Sequence, residues 1–303
     1  MHAIRDLRIE KDDSIDEIFN QMLESGGFVA KHMAQGYEIL YEMIKDKDCT
    51  KFISFVGAII ATGLRGIIRD MVRLKMFDAI VTTCGALDHD IARSFKEYYH
   101  GDFRLDDEIL AEKNIHRLGN VLVPKESYGI IIEEKMQDIL KGYNRQLATY
   151  ELTELIGKHL NESSFLYWAS KNNIPVFVPG IMDGAVGNQL WLYSQRNKGF
   201  GIDLLKDANK LSDIVFDAKR TGALMIGGGI SKHHTLWWNQ FRDGLDNAVY
   251  ITTAEEYDGS LSGALVREAI SWGKVKIKAK QVTIHGEATI VLPFLFSALI
   301  KRL

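Results

Sequence analysis

Cysteine is scarce in this chain of 303 residues, which contains only Cys49 and Cys84. Neither cysteine belongs to a CxxC pair or to a cluster with histidines, so the sequence predicts neither a structural zinc site nor a disulfide framework. A reducing, intracellular setting fits this cysteine usage best. By its residue type, Cys84 is more easily explained as a small buried side chain than as a reactive thiol.

Long apolar runs are also missing. The most apolar segment, ATIVLPFLFSALI, is too short to span a membrane and contains Pro293, so we expect a buried terminal helix. The N-terminal MHAIRDLRIEKDD is polar and acidic where a signal peptide requires apolar residues. These absences favour a cytoplasmic protein without membrane association.

The chain has no strong excess of charge, since its formal net charge is -3. It therefore has no global basic field, and we expect no nucleic-acid partner. Hydrophobic residues make up 46% of the chain, which is enough apolar material to bury a large core. Only four prolines are present, and the lack of a low-complexity linker indicates no obvious hinge.

Hydrophobic periodicity divides the chain into two parts. Residues 1–48 carry apolar side chains at three- and four-residue steps, which predicts an N-terminal helical extension. In residues 49–303, which we interpret as one domain, short apolar strands run into small-residue turns and then helical patterns. The five such units begin at FISFVGAIIATG, DAIVTTCGALDHD, IPVFVPGIMDGAVG, ALMIGGGISKHH and NAVYITTAEEYDGS, the last running into LSGALVREAIS.

This rhythm predicts an α/β fold with a doubly wound, mostly parallel sheet and helices on both faces. Residues 105–170 are expected to be mainly helical around one non-helical island, IHRLGNVLVP. Ligands of such sheets bind at the carboxyl ends of the strands, where this chain has glycines and small residues. These turns suit either a dinucleotide phosphate or tight packing, and no GxGxxG motif decides between the two.

Polar residues in these turns have both structural and functional explanations. Asp88 follows a predicted strand at a helix start, where capping accounts for it, whereas capping does not explain His89. Asp183 would cap a helix or accept a hydrogen bond from a ribose hydroxyl. His233 follows a triple glycine and would be a surface histidine or part of a site, although no third ligand indicates a metal.

The segment SWGKVKIKAK places lysines at every second position from Lys274, with Val275, Ile277 and Ala279 between them. This alternation is typical of a half-buried strand whose apolar residues point inward. However, Trp272 sets a large apolar ring close to Lys274. An amine that loses solvent beside such a ring is more easily deprotonated and can act as a nucleophile.

Acidic residues, among them Glu268, precede this segment. A charge run is usually a solvated face, but carboxylates beside an aromatic ring also suit a cationic amine ligand.

Taken together, the motifs TGLR, VTTCG, RLGNVLVP, IPVFVPGIMDGAVG, GGGISKHH, VYITTAEEYDGSLSG, EAISWGK and ATIVLP resemble the deoxyhypusine synthase family. They occur in family order from about residue 50 to the C-terminus. The combination of GGG, KHH, DGS and SWGK is highly specific. ALDHDIAR, HGDFRLDDE and the short N-terminus are similar to archaeal members.

The resemblance implies a Rossmann-like NAD-binding fold and a homotetramer, built as a dimer of dimers with active sites at subunit interfaces. It implies a transferase of hypusine biosynthesis that moves the 4-aminobutyl group of spermidine onto one lysine of the translation initiation factor 5A precursor. Lys274 would be the catalytic lysine that forms an imine, and His233 would stand beside the amine being oxidised.

The resemblance also implies two groups of binding residues. The cofactor would contact Gly57, Ala58, Ile59, Ile60, Ala61, Thr83, Cys84, Gly85, Asp183, Gly228, Thr253, Ala254, Glu287 and Ala288. The polyamine would contact Asp88, His89, Asn188, Gly259, Ser260, Glu268 and Trp272.

Several positions depart from the eukaryotic pattern. Leu261 and Asn188 stand where acidic residues are expected, His89 replaces a glutamate, and Gly57-Ala58 replaces a Ser-Asn pair. The missing carboxylates leave the polyamine donor open. Two alternatives therefore remain: the same imine chemistry on other amines, as in homospermidine synthesis or transfer from agmatine, and a catalytically silent NAD-binding paralogue.

Overall fold

The computed structural model describes residues 2–303. Its helices are α1 (Ile15–Glu24), α2 (Phe28–Lys45), α3 (Gly57–Ile60), α4 (Leu64–Arg73), α5 (Cys84–Phe95), α6 (Asp107–Glu112), α7 (Gly129–Leu140), α8 (Thr149–Gly157), α9 (Phe165–Asn172), α10 (Ala185–Arg196), α11 (Leu204–Asp217), α12 (Gly229–Asn239) and α13 (Ala288–Arg302). Its strands are β1 (Cys49–Phe55), β2 (Ala79–Val81), β3 (Tyr99–His100), β4 (Ile115–Leu118), β5 (Val121–Pro124), β6 (Gln146–Leu147), β7 (Val176–Phe177), β8 (Gly201–Ile202), β9 (Arg220–Ile226), β10 (Leu245–Thr252) and β11 (Val275–His285).

The chain divides into two compact units. Unit 1 contains residues 2–55, 76–79 and 211–303, and unit 2 contains residues 56–75 and 80–210. The fold class is α/β with a mostly parallel central sheet and helices on both sides, which confirms the sequence prediction. The predicted boundary between residues 48 and 49 stays a prediction.

In unit 1, four parallel strands follow the order β11-β10-β9-β1. The apolar residues of β10, β9 and β1 are buried, as expected for a parallel sheet covered by helices. Helix α2 packs closely on β11, because a Cβ at Gly36 would lie only 2.7 Å from Cδ1 of Ile284. The N-terminal helices therefore belong to the same compact unit as this sheet.

In unit 2, β2 and β7 pair in parallel through Ile80 with Val176 and Val81 with Phe177. Strands β3, β5 and β4 form a small antiparallel sheet, and β6 pairs with β8. The predicted non-helical island IHRLGNVLVP is confirmed as the β4–β5 hairpin.

Four of the five predicted strand-to-helix units are confirmed, since β1 leads through the short α3 to α4, and β2, β7 and β9 run into α5, α10 and α12. The fifth prediction is wrong. After β10 the chain forms only short 3-10 segments at Glu256–Asp258 and Val266–Ile270. The left-handed backbone of Gly259 (φ 71°) turns the chain, and a Cβ at Gly263 would lie 1.9 Å from the carbonyl oxygen of Glu255. The loop thus folds back on itself too tightly for a helix.

The predicted inward orientation of apolar residues at the start of β11 is wrong for Ile277, which is 86% exposed. The pairing register explains this difference. Leu245 of β10 pairs with Val275, but Asn247 pairs with Lys280, so β11 bulges between these two points. Residues in the bulge leave the ladder, and the two-residue alternation no longer points them at the core.

The predicted terminal helix is confirmed as α13, which buries Val291, Leu292 and Leu295. Across residues 2–303, no helix combines the length and the apolar character that crossing a membrane requires.

Candidate active site

Lys274 lies immediately before β11 rather than within it. Gly273 precedes it with φ 67°, a left-handed conformation that glycine adopts without strain. The Lys274 amide donates to the carbonyl of Ala269 at 2.9 Å, and its own carbonyl accepts from the amide of Leu245 at 3.1 Å. Hydrogen bonds therefore fix both the amide and the carbonyl of Lys274. Because Lys274 lies outside the strand, the two-residue alternation does not set the direction of its side chain.

Two indole rings and one imidazole surround the partly buried amine of Lys274. Its Nζ atom lies 5.3 Å from the ring centroid of Trp272 and 5.6 Å from that of Trp237. It also lies 3.5 Å from Nε2 of His233. The amine thus has aromatic faces for a cation and one nitrogen with which to exchange a proton.

His233 belongs to α12, the helix that starts after the triple glycine. Burial, followed by the nearby positive charge of Lys274, lowers the pKa of His233 below its ordinary value of 6.5. The imidazole is therefore neutral at pH 7, and a neutral imidazole can accept a proton from the neighbouring amine.

A cavity of about 340 Å³ in unit 1 contains these groups. Glu268 is the only carboxylate among its lining residues, which are Lys232, His233, Leu236, Trp237, Leu261, Ala264, Leu265, Glu268, Ala269, Trp272 and Lys274. The structure thus brings together four residues predicted from the sequence, Lys274, His233, Glu268 and Trp272. Gly259 and Ser260 are exposed and do not line this cavity.

Lys232 is a buried lysine beside the same cavity, with 2% of its surface exposed. Its ammonium donates to the carbonyls of Leu261 at 2.7 Å and Ala264 at 2.6 Å, and it lies 3.8 Å from the ring centroid of Tyr250. Burial lowers the pKa of Lys232 to about 8. These hydrogen bonds therefore stabilise the loop that contains Leu261, a residue of the cavity wall.

Asp88, predicted to contact the polyamine, lies in unit 2 with 1% of its surface exposed. Its carboxylate accepts from the amides of Ala185 at 3.0 Å and Val186 at 2.8 Å, at the start of α10, and from the Tyr128 hydroxyl at 2.8 Å. Burial raises the pKa of this carboxyl. The hydrogen bonds anchor α10, and a role in polyamine binding stays a prediction.

His89 and Asn188 are also in unit 2. His89 Nδ1 lies 2.9 Å from the Tyr98 hydroxyl, and the imidazole packs against the Tyr98 and Tyr128 rings. Burial, followed by the charge of Arg93, lowers the pKa of His89 to about 4. The His89 imidazole is thus neutral at pH 7. Asn188 is exposed on α10. Their predicted contacts with the polyamine stay predictions.

The predicted cofactor residues follow the carboxyl ends of strands in both units. Those in unit 2 are Gly57, Ala58, Ile59, Ile60, Ala61, Thr83, Cys84, Gly85 and Asp183, and those in unit 1 are Gly228, Thr253, Ala254, Glu287 and Ala288. Asp183 is exposed, Cys84 is buried, and Glu287 caps α13 by accepting from the Thr289 amide at 2.9 Å.

The first and second turns pack tightly against each other. A Cβ at Gly57 would lie 2.6 Å from the carbonyl carbon of Gly85, so the two backbones approach each other as only glycine allows. The Gly57 amide donates to Thr83 Oγ1 at 3.0 Å. Helix α5 has no side-chain cap at its start, which leaves amides for an anion such as a pyrophosphate.

Comparison with known proteins gives the same assignment. The family profile named Deoxyhypusine synthase matches residues 17–299. This chain belongs to the deoxyhypusine synthase family. Among its relatives, a "probable deoxyhypusine synthase" of Picrophilus torridus is 55% identical over 302 residues, covering 98% of this chain and 97% of the relative. A protein of the same description from Thermoplasma acidophilum is 53% identical over 298 residues, covering 97% and 96%.

These archaeal relatives confirm the expected archaeal affinity, and membership of the deoxyhypusine synthase family indicates a transferase enzyme. The crystal structure of a "putative deoxyhypusine synthase" from Entamoeba histolytica has a TM-score of 0.67 at 22% identity, covering 98% of this chain and 97% of that one. At this identity the structural likeness supports the fold.

Sequence reasoning missed Trp237 and Lys232 in this member of the family. Trp237 lies four residues after His233 on α12, and that spacing places both side chains on one helix face. This signal was available from the sequence. Lys232 gave no comparable signal, because its burial depends on a loop about 30 residues further along the chain.

Proposed function

We propose that this chain is an NAD-dependent transferase that moves the 4-aminobutyl group of spermidine onto one lysine of the translation initiation factor 5A precursor. The product is a deoxyhypusine residue. The observation that carries the proposal is the Lys274 amine, which lies 5.3 and 5.6 Å from two indole centroids and 3.5 Å from His233 Nε2 in a largely apolar cavity.

In the proposed reaction, NAD, when bound, would supply reversible hydride transfer at the carbon next to the secondary amine of spermidine, so no net redox change would result. The residues whose turns suit its phosphates are Gly57, Thr83 and Gly85. Asp183 is available for a ribose hydroxyl.

Lys274 acts on the imine that this oxidation leaves on the substrate. Its neutral amine attacks the imine carbon, the bond to 1,3-diaminopropane breaks, and a new imine joins Lys274 to the 4-aminobutyl group. His233 accepts the proton that Lys274 must lose before attack. The amine of the acceptor lysine then displaces Lys274, which returns to its starting state.

The cavity wall supports binding of an alkylamine. Glu268 is the carboxylate that would hold an ammonium end of the substrate, and Trp272 would lie along its aliphatic chain. Leu261 adds apolar surface where the eukaryotic pattern has an acidic residue. Donors with fewer ammonium groups than spermidine therefore belong in any test of the donor.

The family resemblance also supports a cellular location, an oligomeric state and a protein substrate. We propose a cytoplasmic homotetramer, built as a dimer of dimers, whose protein substrate is the factor 5A precursor. The proposed polyamine contacts of Asp88, His89, Asn188, Gly259 and Ser260 rest on the same resemblance.

Intact mass after borohydride trapping tests the proposal. The native chain is incubated with NAD and spermidine, reduced and weighed, in parallel with Lys274→Ala and with Lys278→Ala, which removes an exposed lysine of β11. We expect a gain of one aminobutyl unit in the native chain and in Lys278→Ala, and none in Lys274→Ala.

Other outcomes redirect the proposal. A gain with agmatine or putrescine but not spermidine would replace the donor. Trapping followed by transfer to putrescine in preference to the factor 5A precursor would indicate a homospermidine-type enzyme. No gain with any of these amines would contradict the proposed catalysis and favour a silent NAD-binding paralogue.

A further inference from the structure

Trp237 lines the cavity beside Lys274 and has no role in the proposed reaction. Its ring centroid lies 5.6 Å from Lys274 Nζ, nearly the same distance as that of Trp272 at 5.3 Å. It also lies 5.8 Å from the centroid of the His233 ring, with 35° between the two ring planes. The two tryptophans come from different elements, since Trp237 belongs to α12 and Trp272 precedes β11.

Two properties of an imine, its positive charge when protonated and its sensitivity to water, explain why an aromatic ring would be placed here. An imine on Lys274 becomes a cation when protonated, and an indole face stabilises a cation placed over it. The same cation is hydrolysed when water adds to its carbon. Aromatic and aliphatic walls therefore protect it in two ways, by stabilising its charge and by occupying the space that water needs.

We propose that Trp237 is the second wall of an aromatic clamp, completed by Trp272, that protects the Lys274 imine from hydrolysis. Leu236, Leu261 and Leu265 close the apolar lining beside it. Trp237 is 43% exposed and Trp272 is 67% exposed, so both indoles have a free face over which an alkyl group on Lys274 can lie.

The step that the clamp opposes is balanced as follows. Water adds to the carbon of the protonated imine, the carbon–nitrogen bond to Lys274 breaks, and the products are the free lysine amine, an aldehyde and a proton. With the proposed substrate the aldehyde would be 4-aminobutanal. The acceptor lysine would then go unmodified, because its 4-aminobutyl donor is lost to water.

The inference rests on the proposed function in requiring a reactive amine at Lys274, but its test needs neither cofactor nor polyamine. Butanal is the probe, because it condenses directly with an amine to form an imine and has an apolar chain like that of the proposed donor. The protein is loaded with butanal and diluted. Samples are then reduced with borohydride at intervals, so the fraction that carries one butyl group reports the imine lifetime.

Two adjacent tryptophans on α12 provide a matched pair of variants. Trp237→Ala removes the proposed wall. Trp238→Ala removes an indole that instead donates to His234 Nε2 at 3.1 Å and does not line the cavity. Trp237→Phe keeps an aromatic face, and Lys274→Ala identifies any trapping at other lysines.

We expect Trp237→Ala to shorten the imine lifetime by about two- to fivefold, the size of one exposed cation–π contact. Trp237→Phe should restore most of the lifetime, and Trp238→Ala should retain the native value. A native lifetime in Trp237→Ala would overturn the proposal, and so would equal shortening in Trp238→Ala.

If Trp237→Ala does not fold, Trp237→Phe is compared with Trp237→Leu, which keeps apolar bulk without the aromatic face. Equal lifetimes for these two variants would then exclude the clamp. Failure of the native chain to transfer an aminobutyl group from spermidine would contradict the proposed function alone.

Discussion

Nζ of Lys274 lies 3.5 Å from Nε2 of His233, although the two residues are 41 positions apart in the chain. At this distance the charge of one side chain affects the protonation of the other. The positive charge of Lys274 adds to burial in lowering the pKa of His233 below its ordinary value of 6.5. A neutral imidazole next to an amine is the arrangement that proton transfer from the amine requires.

This pair predicts the pH dependence of imine formation. The rate at which Lys274 condenses with butanal should fall as pH decreases through the pKa of His233, with a midpoint below 6.5, because a protonated imidazole cannot accept a proton. His233→Gln should lower the rate at neutral pH by about 10²-fold, the lower end for general base catalysis. Rates are measured by borohydride trapping and intact mass.

His234→Gln is the control for that experiment, since His234 contacts Trp238 instead of Lys274. It should retain the acid limb of the native pH profile, whereas His233→Gln should lose the step that His233 contributes. An unchanged profile in His233→Gln would rule out His233 as the proton acceptor.

Lys232→Met should destabilise the protein. The change removes the hydrogen bonds from a charged donor to the carbonyls of Leu261 and Ala264, and a hydrogen bond to a charged group contributes about 1.5–3 kcal/mol. Urea unfolding measures the free energy of unfolding. Lys278→Met, at an exposed position, should stay within about 0.5 kcal/mol of the native value. Equal stability of both variants would show that the Lys232 contacts contribute nothing.

Two glycines near the first turn should respond in opposite directions to alanine. Gly57→Ala would set its Cβ 2.6 Å from the carbonyl carbon of Gly85, and such overpacking costs about 1–3 kcal/mol. Gly63→Ala meets no atom within 4 Å and keeps a helical backbone of φ -60°, so it should gain about 0.4–1 kcal/mol. Thermal unfolding of both variants tests this contrast, and a gain in Gly57→Ala would contradict the close approach.

We expect His234 to lower the free energy of unfolding at acid pH. Its Nε2 accepts from Trp238 Nε1, and burial, followed by the charge of His233, lowers its pKa to about 4 from 6.5. Between these values the unfolded chain binds a proton that the folded chain does not, so the free energy of unfolding falls as pH decreases. The full effect is about 3 kcal/mol near pH 4.

His234→Gln keeps a hydrogen-bond acceptor but does not titrate. Urea unfolding of this variant between pH 7 and pH 4 should therefore show a shallower decline than that of the native chain. Parallel declines would exclude His234 as a source of the acid sensitivity.

Local patterns were sufficient for much of the fold. Apolar runs bounded by small residues predicted β1, β2, β7 and β9 with their following helices, because strand and helix periods depend on residues close together in sequence. The same patterns failed at Ile277 and after β10. In both places the outcome depends on a pairing register or a backbone contact with a different segment.

The sequence by itself determined the family, through motifs whose residue types and order are specific, and the family resemblance then implied the roles of Lys274, His233, Glu268 and Trp272. Only the tertiary structure decided that Trp237 flanks Lys274, that Lys232 is buried under the loop of Leu261, and that the Asp88 carboxylate binds amides 97 and 98 residues away. These contacts follow from the packing of helices and loops around the sheet. Hydrogen bonds and burial act on distances in space, which the order of residues along the chain does not specify.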